Sequence, residues 1–492
     1  MSPADFRRHA RAVVDRIADY LANVDGLPVL APVRPGEFRA QVAASMPTDG
    51  EPLEDILADF DRLVVPATTH WSHPAFFAYF SSSGSGAGIL GEMLAAALNV
   101  NAMLWRTGPA ATELEDACLD WIRQALGLPA TFAGEITDTA STSILYALAA
   151  ARDAAMPEAR AGGMAGLPPG RIYCSAETHS ATHKAAATLG LGLDGVRHVA
   201  LDDAFRMDPR ALREAIREDR AAGRVPVAVV ATAGSTGTAA IDPLRDIAGV
   251  CADEGVWLHV DAAYGGSAAL VPGMEWVLDG AELADSIVVN PHKWMFVPLD
   301  CSALLVRDRS RLARAFSLTA AFLTVPYDEA GAANLMDYGI SLGRRFRALK
   351  LWFVLRYFGA RGLAERIGEH VRLAGLFESW VDAAEEWEVL APRHLSLVVF
   401  RWRGPAGDDG RPESGARELN EANERILERV NAGGRAFLSH TVLDGLGAEP
   451  VYALRLAVGN LRTREEHVRI AWEALGGASS VPARKSRVHR GA

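Results

Sequence analysis

An α/β protein with a mostly parallel central sheet, an N-terminal helical arm and a small α+β C-terminal domain is what this sequence predicts. Three observations carry that expectation. From about residue 84 short apolar runs of strand length alternate with longer helical patterns. Upstream, two amphipathic helical patterns are separated by prolines, and downstream of about residue 350 the pattern turns helix-rich. The 492 residues, 49% of them apolar, are enough for a large core.

The elements follow in chain order. Phe6, Ala10, Val13, Ile17 and Leu21 share one helical face. Pro28, Pro32 and Pro35 then break the pattern into an extended linker, and residues 53–63 read as a second amphipathic helix. Such an arm buries little by itself, so residues 1–83 are expected to pack on a second copy of the chain. Strands are expected at 172–175, 227–232, 256–260, 287–290 and 303–307, with helices at 144–152 and 209–218, inside a large domain over 84–350. Residues 351–476 are expected to form the small domain, with strands at 395–402 and 453–458 and a closing helix at 467–475. Residues 404–415 read as an exposed loop and 477–492 as a flexible tail.

Composition excludes several functions. A formal net charge of −11 argues against nucleic acid as a partner. Cys118, Cys174, Cys251 and Cys301 stand far apart with no CxxC pair, so they read as reduced thiols of a cytoplasmic protein, and no metal set is read from the sequence. The N-terminus lacks a signal-peptide pattern, and no apolar run reaches membrane-spanning length, so no membrane partner is expected.

Five segments carry chemistry. In 286–294 a β-branched run enters Asn290-Pro291-His292-Lys293-Trp294, which places Lys293 just past a strand's carboxyl end, where open α/β sheets bind ligands. Most lysines are solvated surface charges. An apolar setting, here His292, Trp294, Met295 and Phe296, depresses an amine pKa and favours an imine-forming nucleophile. In 256–266 a buried-type strand ends at Asp261, either a turn-capping acid or a carboxylate that pairs with a pyridinium nitrogen. The hydroxyl-rich run 139–143 opens a helix, either as an ordinary cap or as an anion site at its N-terminus. His179, shortly after the strand at 172–175, is placed to lie against a cofactor ring or to serve structurally. Ala231, Ala233, Gly234 and Thr236 allow close approach to a bound ring or phosphate.

Together with the strings at 69–80, 109–115, 259–264, 290–294 and 342–350, these segments resemble the aromatic-L-amino-acid decarboxylase family. These are group II pyridoxal 5′-phosphate (PLP) decarboxylases of aminotransferase-like fold type I, and the family includes aromatic aldehyde synthases. The likeness runs from about residue 6 to 473, and the Asn-Pro-His-Lys-Trp setting points to the aromatic rather than the glutamate branch. The resemblance implies Lys293 as the Schiff-base lysine, Asp261 at the pyridine nitrogen and His179 stacked on the ring. It implies Ala140, Ser141 and Asn290 around the phosphate, with Thr236 and His292 also at the cofactor. Trp71, Tyr79, Phe80 and Ser82 would line the substrate pocket, Asn101 and Met103 would enter it from the second subunit of a homodimer, and Gly343 would leave room for an indole. The implied reaction removes the α-carboxylate of a tryptophan-, tyrosine-, phenylalanine- or dopa-type L-amino acid to give the amine.

One departure bears on the product. The family carries a loop tyrosine that helps protonate Cα, and ungapped alignment puts Phe322 there, which has no proton to give. In plant relatives that substitution accompanies aldehyde formation. Tyr327, five residues on, is the other candidate donor. The stretch 319–334 reads as a lid over the site. A PLP-binding regulator or an aminotransferase are the rival functions, since fold alone does not decide reaction.

Overall fold

The computed structural model describes residues 1–318, 334–404, 415–446 and 449–476. Seven strands form the larger sheet: β1 (Ala133–Thr137), β2 (Gly170–Ser175), β3 (Val196–Val199), β4 (Val225–Thr232), β5 (Trp257–Asp261), β6 (Ser286–Val289) and β7 (Ser302–Val306). Their order is β1-β7-β6-β5-β4-β2-β3. β2, β3, β4, β5 and β6 are parallel, and β7 runs antiparallel to both β6 and β1. β1 therefore points the same way as β6. The expected mostly parallel sheet is present.

Burial explains why these runs become strands. β5, β6 and β7 are buried at every residue, as continuous apolar runs are when helices cover both faces of a sheet. The helix Ala140–Ala155 buries Ile144, Ala147, Leu148, Ala150 and Ala151 in one cluster with Ile172, Val230 and Leu304 of the sheet.

The five strands expected within 84–350 are all found, with ends shifted by one or two residues. Two strands were not expected. β1 reads Ala-Gly-Glu-Ile-Thr, whose acid spoils an apolar pattern. Glu135 is nonetheless buried, with Arg344 at 3.5 Å, and burial pushes its carboxyl up to about 8. Gly134 is required there: a Cβ would stand 1.7 Å from the Leu304 carbonyl oxygen. β3 is a four-residue edge strand with two polar residues, too short to stand out.

The smaller sheet comprises β8 (Trp387–Val389), β9 (Leu397–Trp402), β10 (Ser439–Leu443) and β11 (Val451–Ala457), in the order β10-β11-β9-β8. β10/β11 and β8/β9 are antiparallel pairs. Helices Ala416–Ala432 and Glu465–Leu475 lie in sequence beside these strands, and Leu427, Val430, Val468 and Trp472 join Phe400, Leu454 and Leu456 in one core.

Compact units divide the chain differently from the expected boundaries at 83, 350 and 476. One unit holds residues 1–79, 373–390 and the chain from Val398, and the other holds 80–372 and 391–397. The reason lies in Ala75, Phe76, Phe77 and Ala78, which are fully buried among Phe377, Phe400, Leu454 and Trp472 of the first unit. The 350/351 boundary also falls inside the helical run Arg347–Asp382, whose kink is at Gly359 with φ +64°. The N-terminal helix Pro3–Asn23, capped by Ser2, buries none of its residues.

Candidate active site

Because β1, β2, β4, β5 and β6 run the same way, their carboxyl ends, Thr137, Ser175, Thr232, Asp261 and Val289, lie along one edge of the sheet. Every polar segment singled out at a strand end begins there. Parallel sheets collect ligand-binding loops at that edge.

Lys293 is placed by a one-turn helix, Pro291–Trp294, that starts directly after β6. Pro291 at its first position has the φ a helix needs and no N–H to leave unpaired. Asn290 precedes it; its N–H donates to the Ala263 carbonyl, 3.1 Å, and its carbonyl accepts from the Lys293 N–H, 2.9 Å. His292, Trp294, Met295 and Phe296 are buried, whereas Lys293 keeps partial exposure. Surrounding atoms still desolvate the amine and lower its pKa from the ordinary lysine value, while Asp261 opposes the shift. Lys293 Nζ stands 5.6 Å from the centroid of Phe80.

Behind the amine lies an aromatic pile. Phe80 stacks on Tyr264 at 3.7 Å between centroids, Tyr264 on Trp294 at 4.5 Å, and Trp294 runs parallel to His370 at 6.5 Å. Trp294 Nε1 donates to His370 Nδ1, 2.9 Å, and Tyr264 and Ser396 share a hydroxyl hydrogen bond. The pile clamps the two residues that flank the site, Trp294 beside Lys293 and Tyr264 after Asp261.

Asp261 ends β5, is 6% exposed, and accepts the Ala263 N–H on Oδ1 at 3.1 Å. Its backbone oxygen accepts from Ala233 N–H, 2.9 Å, which fastens the end of β5 to the turn after β4. That turn approaches closely through Gly234 (φ +93°) and Gly265, where a Cβ would stand 2.3 Å from the Ala233 carbonyl oxygen. Asp261 electrostatically favours the charged forms of both His179 and Lys293, so the three belong to one electrostatic cluster. His179 retains surface exposure, yet burial lowers its pKa, and its Nδ1 accepts the Ala181 N–H at 3.2 Å. The neutral ring therefore carries its proton on Nε2. His292 Nδ1 accepts the Cys301 N–H, 2.9 Å, and burial lowers the ring to about 4, so it too is neutral.

Two oxygens at this edge, Thr232 Oγ1 and Asn290 Oδ1, are buried without a hydrogen-bond partner among the described residues. Such atoms are open to a hydrogen bond from water or from a bound group.

The sequence pattern of the pyridoxal-dependent decarboxylase conserved domain matches residues 35–403. The chain belongs to that family. It is 39% identical to tryptophan decarboxylase 1 of Oryza sativa subsp. japonica over 485 residues, covering 96% of this chain and 93% of the relative. It is 39% identical to a phenylacetaldehyde synthase of a Rosa hybrid cultivar, covering 96% and 94%. The crystal structure of Oryza sativa TDC with PLP and tryptamine superposes with a TM-score of 0.91 at 38% identity, covering 97% of this chain and 98% of that one. The fold is PLP fold type I, and the protein is a PLP-dependent carboxy-lyase of the group that holds aromatic amino acid decarboxylases and aldehyde synthases.

The decarboxylase's residues fit that cofactor. A desolvated amine suits its aldehyde, and a buried carboxylate suits its ring nitrogen. The N-terminus of the helix Ala140–Ala155, which has no side-chain cap, suits its phosphate. Ala140 is half-buried and Ser141 exposed there, while Ser143 turns inward to bridge Thr137 Oγ1 at 2.7 Å and Ser302 Oγ at 3.0 Å. Thr236 is exposed on the turn after β4, where Gly237 lies against the Glu177 carboxylate.

The expected substrate residues are distributed between the two units. Trp71 and Tyr79, in the first, stack at 6.0 Å and are both exposed, and Tyr79 has a left-handed φ of 56°. Phe80 and Ser82 belong to the second. Asn101 Oδ1 accepts the Arg344 N–H, 2.9 Å, and Asn101 Nδ2 reaches Met103 Sδ at 3.4 Å, so Asn101, Met103 and Gly343 form one patch. Arg344 holds it: its Nη2 donates to Glu115 Oε1 and to the Ile136 carbonyl, both 2.8 Å. That buried pair joins two distant strings, 109–115 and 342–350. Phe322 and Tyr327 lie outside the described residues.

The roles of Tyr264, Trp294, His370 and Arg344 were missed from sequence. Tyr264, Trp294 and Arg344 stood inside recognised strings, but stacking and ion pairing between segments far apart in the chain leave no local signal.

Proposed function

We propose that this enzyme removes the α-carboxylate of an aromatic L-amino acid of the tryptophan, tyrosine, phenylalanine or dopa type and releases the amine. The observation that carries this reading is the desolvated amine of Lys293, a partly exposed residue, in one electrostatic cluster with buried Asp261. When bound, PLP supplies an electron sink for the pair left as CO2 departs. Lys293 holds the cofactor's aldehyde carbon and Asp261 keeps its ring nitrogen protonated. His179, neutral with its proton on Nε2, covers a face of the ring without adding charge. Asn290, Ala140 and Ser141 hold the phosphate, with His292 and Thr236 close to the cofactor. Trp71, Tyr79, Phe80 and Ser82 present aromatic and hydroxyl surface to the side chain.

We further propose a homodimer in which Asn101 and Met103 complete the partner's pocket, with Gly343 leaving room for an indole. In support, Phe6 and Val14 on the N-terminal helix are exposed, as are Leu90, Met93, Leu94 and Leu98 on the helix Gly86–Leu98.

A second reading rests on Phe322. With no hydroxyl at that position, proton return to Cα is slow. The net reaction then consumes one O2 and one water per amino acid, O2 taking two electrons to become hydrogen peroxide and water supplying the aldehyde oxygen, with CO2 and ammonia released. Similarity to a phenylacetaldehyde synthase supports it. Incubation in air with each of the four amino acids, with amine, aldehyde and peroxide measured together, tests both. Stoichiometric amine without peroxide eliminates the second reading, and no CO2 from any of the four eliminates the first. If Phe322 directs the product, Phe322→Tyr raises the amine-to-aldehyde ratio.

A further inference from the structure

Away from the strand ends that carry Lys293 and Asp261, three metal-ligating side chains converge. Cys174 of β2 and His198 of β3 are cross-strand partners in parallel register, so their side chains leave the same face of the sheet. The helix Ala181–Thr188 packs on that face: Ala181, Ala185 and Ala186 share a core cluster with Cys174. This helix also carries His183. The ligand atoms of Cys174, His183 and His198 all lie within 4.8 Å of one another. His183 Nε2 and His198 Nε2 are 2.9 Å apart, with the rings edge-on at 79°. Two ring nitrogens aimed at each other leave room for one proton between them, or for an ion.

The two imidazole nitrogens sit close to the spacing a tetrahedral ion needs, and the sulfur lies within 4.8 Å of both. Zinc takes nitrogen at about 2.0–2.1 Å and sulfur at about 2.3 Å, which sets N···N near about 3.3 Å and S···N near about 3.5 Å. Separating the two imidazoles by about 0.4 Å, with the sulfur drawn in to about 3.5 Å from each nitrogen, makes room for the ion. Exposure grades from buried Cys174 through half-buried His183 to exposed His198, which leaves a fourth position on the solvent side. One thiol and two imidazoles, with no carboxylate among them, select zinc-class ions over magnesium or calcium. Cys174 is the only cysteine with two histidines at ligating distance among the described residues.

We propose that Cys174, His183 and His198 bind one zinc-class divalent cation, through a thiolate and two imidazole nitrogens with water in the fourth position. Cys174 binds as thiolate and its proton passes to solvent. The ion ties edge strand β3 and the helix after His179 to the interior strand β2, and it takes no part in the decarboxylation.

The test uses PLP-loaded enzyme stripped of metal by a chelator and dialysed against Zn2+. Zinc bound per chain is measured by atomic emission, and thermal stability is measured with and without the ion. The parent is expected to hold one zinc and to gain several degrees in Tm. His198→Ala, at an exposed position, is expected to fold and to lose both, and His183→Ala serves as the second variant. X-ray absorption of the loaded enzyme is expected to show one sulfur and two imidazole nitrogens. A parent that retains no zinc overturns the proposal. So do variants that bind it and gain stability as the parent does, or a coordination shell without sulfur.

Discussion

Asp261→Asn isolates charge from shape at the floor of the site. The amide keeps the carboxylate's volume, and its oxygen can still accept the Ala263 N–H now held at 3.1 Å. What disappears is the negative charge that favours a protonated ring nitrogen. A charge pair at about 4 Å and an effective dielectric of about 20 is worth about 4 kcal/mol. If that energy is present in the transition state and absent from the substituted enzyme, kcat falls by about a thousandfold. Removing the carboxylate also removes what raises the pKa of Lys293 and of His179, so both stay neutral more readily and neither gains a charge that could substitute. The assay is kcat at full cofactor occupancy, read from the absorbance of the bound cofactor, beside a thermal melt. A kcat within a factor of about three of the parent, with cofactor bound and Tm little changed, would refute the assigned role of Asp261.

Three other expectations follow. Burial lowers His259 and His292 to about 4, from 6.5 in the unfolded chain, so each contributes stability that is complete above pH 6.5 and is lost as pH falls through about 4. The size is about 3 kcal/mol per ring. Asp242, raised to about 6 by burial, acts oppositely over part of that window, so the histidine effect is read as a shallower Tm-against-pH slope in His259→Asn than in the parent. Trp294→Phe keeps a ring on Tyr264 but removes the buried Nε1 donor to His370 Nδ1. It should lower unfolding free energy in denaturant by about 1–3 kcal/mol. Gly343→Ser should fold normally, since a Cβ there meets nothing within 4 Å in the single chain. Its kcat/KM for tryptophan should fall relative to tyrosine by about tenfold, as competing-substrate assays would show.

Local chemistry makes much of this protein legible in its sequence. β-branched runs announced β4 and β6, an apolar run announced β7, and the proline after Asn290 announced the turn that presents Lys293, because strand propensity and proline geometry act over a few residues. The acid at the end of β5 and the hydroxyls that open the helix Ala140–Ala155 were visible for the same reason. β1 was not legible. Its Glu135 sits in the core beside Arg344, more than two hundred residues away in the chain. The N-terminal segment was read as an arm for another subunit, and Phe76 and Phe77 proved to belong to the core of the chain's own C-terminal part.

The sequence by itself determined the sheet class, the strand ends and the reactive groups upon them, since each follows from residues adjacent in the chain. Tertiary structure alone decided that Phe80, Tyr264, Trp294 and His370 stack behind the amine, and that Arg344 locks Glu115. It alone brings Cys174, His183 and His198 together. These depend on side chains from separate segments meeting, and hydrophobic collapse and desolvation act on that proximity, which spacing along the chain does not encode.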